Sequence, residues 1–338
     1  MSTDQKNKYI QKINQKLEKY QLESIGDLSE IVEDTIKNNE NNFRFFCQTK
    51  NDHHKKFFLK FQRDRSRQKK DIRSRRQYNL SNEINFYREF KTKKFKKLII
   101  PGYYHSGKKP NPWLIIKKVN QKEISTLPAN TFFSRKKIPL HFAPIIIDGL
   151  TELHQQKINS KNFYRQKMRD LINWFQFLSP SFNGEFSPLA IFVPRILVKN
   201  EKIWNENSQN IVHGDLVSDT FAFSNKNKLI LFDFEKAQIS NSAFDFSSFV
   251  INPYLSTWNR YFEKEITRKN PGKTFKTLFY LSWIMRLCHL SGNFLSGRLD
   301  HVFKPIIGED NFCSTKNIYL HLWPKEIYRL LDQINKIN

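Results

Sequence analysis

Near the start of the chain Ile10, Ile13, Leu17 and Tyr20 recur at helical spacing, which predicts an amphipathic helix. A second short helix is predicted over residues 28–36, with Ser24 or Asp27 near its start. An Asn-rich turn at 38–42 follows. Residues 43–48 then read as a strand, 51–54 as a turn and 56–61 as a second strand. Residues 63–77 have no hydrophobic periodicity and read as a solvated loop. Ser81 followed by Ile84, Phe86, Tyr87 and Phe90 reads as a capped helix, and 98–100 and 113–119 as short buried strands. After residue 121 the pattern changes. Residues 145–154 are helical, with Ile147, Leu150 and His154 on one stripe, and 167–178 form another helix. The runs 211–213 and 229–232 are short and apolar and flank a polar loop. Helices are predicted over 274–290 and 324–337; Pro324 suits a first turn, and Ile327, Leu330, Leu331 and Ile334 form a stripe. The pattern is α+β: a small β-rich lobe, then a larger, mostly helical lobe, with no internal repeat.

Length and composition narrow the classes. At 338 residues the chain accommodates two domains or one two-lobed domain. Hydrophobic residues at 39% and 31 Phe exclude a disordered polar chain. The most apolar stretch, 278–290, is broken by Arg286, so a transmembrane helix is not expected. The polar opening MSTDQKNKYIQK has no apolar h-region, so no signal peptide is expected. Cys47, Cys288 and Cys313 are too few and too scattered for a disulfide framework or a zinc knuckle, and a cytoplasmic setting is expected.

The net charge is +25, unevenly spread. Residues 1–40 sum to −2, whereas 55–97 hold 17 Lys and Arg against four acids, or +13. Such an excess is compatible with a polyanionic partner, but it speaks to non-specific binding rather than to chemistry. The densest part, 63–76, carries eight cations and two acids without interleaved aromatics for base stacking. A solvated insert explains it better than a nucleic-acid surface does, although a nucleic-acid partner is not excluded.

The informative stretch is residues 211–249. It holds a strand ending in His213-Gly214-Asp215-Leu216, a polar loop through Thr220, an apolar strand ending in Asp233-Phe234-Glu235, and Asp245 in an apolar setting twelve residues on. Phosphoryl transfer uses two such carboxylates, one to orient the attacking hydroxyl and one to hold Mg²⁺ on the phosphates. Protein kinases share this grammar in H-R-D-L-x-x-x-N followed by D-F-G.

The stretch resembles the aminoglycoside/choline phosphotransferase family, kinase relatives that act on small molecules. The resemblance extends outward to residues 147–154, to 113–119 as the strand entering the interlobe hinge, to Lys60 in FFLKF and to Glu83, 23 residues later. It implies a two-lobed protein-kinase-like fold with an N-lobe at 1–116, a hinge at 117–122 and a C-lobe at 123–338. It also implies ATP, Mg²⁺ and a small-molecule hydroxyl acceptor. Carried over by position, Asp215 is the catalytic base, Asp233 and Thr220 bind metal, and Lys60 contacts phosphate and pairs with Glu83. His213 and Asp245 support the catalytic loop, and His154 is read as structural.

Three departures stand out. Thr220 occupies the position of an Asn that ligates metal in the family, with Asp219 beside it. The turn at 38–42 has no glycine. Lys117 and Lys118 stand in the hinge where an acid is common. These departures keep open a degenerate, non-catalytic kinase-like module that binds a nucleotide or partner. A basic nucleic-acid-binding protein is the weaker alternative. The acceptor, the choice of ATP over GTP and the oligomeric state are not encoded in any motif.

Overall fold

The structure is a computed structural model that describes residues 3–38, 40, 42–63, 80–108, 111–119, 124–125, 138–216, 220–252, 256–300, 304 and 308–337. The chain divides into two units. The first takes Met1–Lys94, Ile99–Ile124 and Ile230–Ala237; the second takes Phe95–Leu98, Ser125–Leu229 and Gln238–Asn338. The sequence reading draws one boundary at a hinge. In the structure the segment carrying Asp233 belongs to the first unit, because its side chains pair with that unit's lysine strand.

In the first unit, helix α1 (Thr3–Lys19) and helix α2 (Leu28–Lys37) lie over a five-stranded sheet. The Asp27 side chain caps α2 by accepting from the Ser29 amide at 2.7 Å, which settles the choice between Ser24 and Asp27. Strand β1 (Leu22–Ser24), strand β2 (Asn42–Thr49) and strand β3 (Lys56–Gln62) are followed across the sheet by Trp113–Lys117 and then Tyr103–Gly107, all antiparallel. Alternation along the strands sends Phe43, Phe45, Cys47, Phe57, Leu59 and Phe61 to one face. There they bury against Tyr9, Ile13, Leu17 and Val32. The opposite face carries Arg44 directly across from Lys60. The helix Leu80–Phe90 begins one residue before Ser81, so Ser81 lies within its first turn instead of capping it.

The second unit is built around the helix Lys273–Leu295, which is buried on most of its sides and packs against Glu309–Ile337 and Met168–Leu178. Pro324 does not open its helix, as the sequence pattern predicts. It lies inside Glu309–Ile337, because the buried residues Phe312, Tyr319 and Trp323 extend the apolar stripe toward the N-terminus. A proline there leaves one intrahelical hydrogen bond unmade. Asn210–Val212 pairs antiparallel with Gln238–Ser240. Further helices at Leu189–Lys199, Glu201–Asn207 and Ser256–Lys269 complete what the sequence reading leaves unassigned. Among the described residues no helix is long and apolar enough to cross a membrane, and the three cysteines are free.

Candidate active site

Two carboxylate clusters hold the residues singled out by the sequence, one in each unit. In the first unit Lys60 projects from β3 with a side chain only 4% exposed. Its ammonium donates to Glu83 Oε2 at 2.8 Å, Asp233 Oδ1 at 2.6 Å and Glu235 Oε1 at 3.4 Å. Burial alone would depress this lysine, but Glu83, Asp233 and Glu235 outweigh it and hold it above its ordinary range. Glu83 is fully buried, and its carboxyl is pushed up to about 7: burial dominates, with Asp233 and Glu235 adding to it against the pull of Lys60. The other Glu83 oxygen accepts from the Phe234 amide at 3.3 Å.

That hydrogen bond fixes the Asp-Phe-Glu segment. The Phe234 ring stacks on Phe86 with centroids 3.7 Å apart and meets Tyr87 edge-on at 5.6 Å. The Asn82 amide donates to the carbonyls of Glu235 and Ala237. Asp233 sits at φ 59°, a left-handed conformation that Asp tolerates better than most residues. Its carboxylate is 32% exposed. Glu235 is buried and also accepts from Asn42 Nδ2 at 2.7 Å and from Arg44 Nη2 at 3.4 Å.

In the second unit Asp245 is fully buried. It accepts from the His213 amide at 2.8 Å and the Gly214 amide at 2.9 Å, and its Oδ2 lies 3.0 Å from His154 Nε2. Burial works to raise this carboxyl, but the hydrogen bond and charge of His154, with His213 and the Gly214 amide, bring it below its ordinary value. Gly214 has φ 83°, which an L side chain adopts only under strain, so the glycine of H-G-D is required by the backbone. The Asp215 amide donates to His213 Nδ1 at 3.3 Å, and Thr220 Oγ1 donates to the Asp215 carbonyl at 3.0 Å. Arg286 reaches the Phe244 carbonyl at 3.2 Å and Ser247 Oγ at 2.9 Å, bracing the short helix that carries Asp245. Burial lowers this guanidinium from its usual range while Asp245 and Asp215 oppose the shift.

Lys60, Glu83 and Asp233 thus meet in one unit, and His213, Asp215, Thr220 and Asp245 in the other. Arg44, Asn42, Glu235 and Arg286 have no role in the sequence reading. Glu235 lies within the quoted Asp-Phe-Glu, which is a usable signal; Arg44 depends on strand register, which the sequence does not display. Asp219, residues 64–79 of the basic loop and residues 120–122 of the hinge lie outside the described residues.

The architecture is the α+β, two-lobed fold of the protein-kinase-like phosphotransferases. The GDP complex of aminoglycoside 2'-phosphotransferase-IIIa aligns with a TM-score of 0.54 at 14% identity, covering 90% of this chain and 92% of that one. ADP-bound aminoglycoside phosphotransferase APH(2'')-Ib gives 0.54 at 14%, covering 94% and 98%. A choline/ethanolamine kinase family protein from Mesorhizobium loti gives 0.54 at 12%, covering 94% and 90%. No family model matches the sequence, and no curated protein matches it.

Proposed function

We propose that the chain is an ATP-dependent phosphotransferase that moves the γ-phosphate to a hydroxyl of a small molecule of the aminoglycoside, choline, sugar or amino-alcohol type. The observation that carries this reading is the Lys60, Glu83 and Asp233 cluster: a buried lysine held by a buried glutamate against a partly exposed aspartate. The likeness to nucleotide-bound phosphotransferase structures supports it.

In this reading Asp215 accepts the proton of the attacking hydroxyl, and Lys60, oriented by Glu83, binds phosphate oxygens. His213 and Asp245 hold the loop that presents Asp215. Glu83, Asp233 and Glu235 bring their oxygens within 4.8 Å of one another, but all three already face the Lys60 ammonium, and of them Asp233, with a carboxylate 32% exposed, is the one left accessible to a hard cation such as Mg²⁺. Asp233 would hold the metal. Bound there, Mg²⁺ supplies charge neutralisation on the phosphates. Positioning and electrostatics provide most of the rate in such chemistry.

The test is a panel of hydroxyl compounds incubated with ATP and Mg²⁺ and read by mass for phosphate addition. Asp215→Ala and Asp233→Ala are each expected to lose nearly all turnover while remaining folded; phosphotransfer retained by Asp233→Ala refutes the mechanism. A non-catalytic nucleotide-binding module is the second reading, motivated by Thr220 standing where the family carries Asn and by the absence of glycine from the turn at 38–42. Thermal shift separates the two readings, since a module without metal chemistry gains no Mg²⁺-dependent stabilisation by ATP and turns none over.

A further inference from the structure

We propose, resting on the phosphotransfer reading, that Arg44 joins Lys60 as a second cation through which the first unit recognises the nucleotide's polyphosphate, in a chain whose turn at 38–42 carries no glycine.

Lys60 has three ammonium protons. Three carboxylate oxygens accept them, at 2.6, 2.8 and 3.4 Å, and the side chain is 4% exposed. As it stands, each of the lysine's donors faces a carboxylate, so a phosphate oxygen gains one only by displacing such a contact, the 3.4 Å one to Glu235 being the longest. The turn at 38–42 is no better supplied. The Asn38 amide donates to the Asp34 carbonyl, and the Glu40 amide to the Thr35 carbonyl at 2.9 Å, so these two amides turn back into α2. Arg63 holds the Glu40 carbonyl from outside at 2.8 Å. Neither of these amides is directed toward a phosphate.

Arg44 differs on each count. It stands opposite Lys60 on β2, on the same face of the sheet, and its side chain is 42% exposed. Among the described residues its partners are Glu235 at 3.4 Å and Asp233 at 3.9 Å, both reached through Nη2 alone. Nε and Nη1 retain their donors, in a planar fork that matches phosphate oxygens. Long, part-exposed contacts of this kind contribute little to stability and cost little to exchange. Charge points the same way. Glu83, Asp233 and Glu235 together bring three carboxylates to one lysine. Three carboxylates against one ammonium leave the protein's own groups net negative, and Arg44 offsets part of that charge beside any metal the phosphates bring.

The experiment is equilibrium binding of ATP, ADP and adenosine to the full chain in Mg²⁺, for wild type, Arg44→Gln and Arg44→Lys, with unliganded melting temperatures as a control on folding. Arg44→Gln is expected to weaken ATP about tenfold or more and to leave adenosine unchanged, since hydrogen bonds to charged groups are of that strength. Arg44→Lys, which keeps the charge and loses the fork, is expected to fall between the two. If wild type binds ATP more tightly than adenosine and Arg44→Gln does the same, this inference fails and the phosphotransfer reading stands. Equal losses for ATP and adenosine assign Arg44 a structural role and also overturn it. If wild type binds no nucleotide, both readings fall together.

Discussion

Replacing Asp245 tests how far one buried carboxylate organises the second unit. Its two oxygens accept three hydrogen bonds, from the His213 amide at 2.8 Å, the Gly214 amide at 2.9 Å and His154 Nε2 at 3.0 Å. Asp245→Ala leaves those donors without an acceptor, and His213 and His154 are both buried. Each orphaned buried donor costs about 1–3 kcal/mol, so the substitution is expected to cost about 3–5 kcal/mol. That is a large share of the roughly 5–15 kcal/mol available to a folded domain. Asp245→Asn keeps one acceptor oxygen and is expected to cost about half as much.

The pH dependence follows from the direction of the shift. Because the folded carboxyl lies below its ordinary value, Asp245 contributes stability that is fully present above the usual aspartate range and is lost as pH falls through the folded value. The gap between wild type and Asp245→Asn in urea unfolding should therefore be constant near neutrality and shrink under acid. A double-mutant cycle with His154→Phe, which retains a ring against Phe246, should return a coupling of about 1–2 kcal/mol. Equal urea midpoints for wild type and Asp245→Ala, or a gap that widens on acidification, would refute the reasoning.

Lys60→Met removes the cation from three carboxylates, one of them fully buried. The expected loss is about 3–5 kcal/mol in chemical denaturation, partly recovered in Lys60→Met/Glu83→Gln, and an unchanged midpoint contradicts it. Gly149→Ala places a Cβ 2.6 Å from Leu229 Cβ, too close for any real contact, so it should lower stability by about 1–3 kcal/mol in thermal melts. Leu229→Ala in the same background should relieve the clash, and a stable Gly149→Ala single variant shows that the helix Phe142–His154 shifts freely.

What was legible in the sequence is what local pattern encodes. The strands at Asn42–Thr49 and Lys56–Gln62 alternate, and the buried helices carry apolar stripes. The fold class follows from their order. The edge strand Tyr103–Gly107, sequence YYHSG, has no buried position and so no period to read. The helix Leu189–Lys199 is masked by Pro194 in its interior. Residues that meet only through tertiary structure were out of reach. Arg44 faces Lys60 by register, and His154 reaches Asp245 across 91 positions. Likewise nothing local reveals that β1 and β2 are joined through α2, which removes the hairpin on which a glycine-rich turn would sit.

The two clusters share one construction. Asp215 follows Gly214, whose amide is held by the buried Asp245 at 2.9 Å. Asp233 precedes Phe234, whose amide is held by the buried Glu83 at 3.3 Å. In each case a carboxylate distant in sequence grips the backbone next to a more exposed aspartate, and a left-handed residue, Gly214 or Asp233, turns the chain at that point. A carboxylate accepting a backbone N–H fixes peptide orientation better than packing alone, since the bond is directional and charge-assisted. The anchoring acids can therefore be buried and the proposed chemical ones left accessible. Substitution at Asp245 or Glu83 should then depress turnover through displacement of Asp215 or Asp233, without touching a reacting atom. In both motifs the gripped amide, the backbone reversal and the acid therefore fall on two consecutive residues, Gly214-Asp215 and Asp233-Phe234.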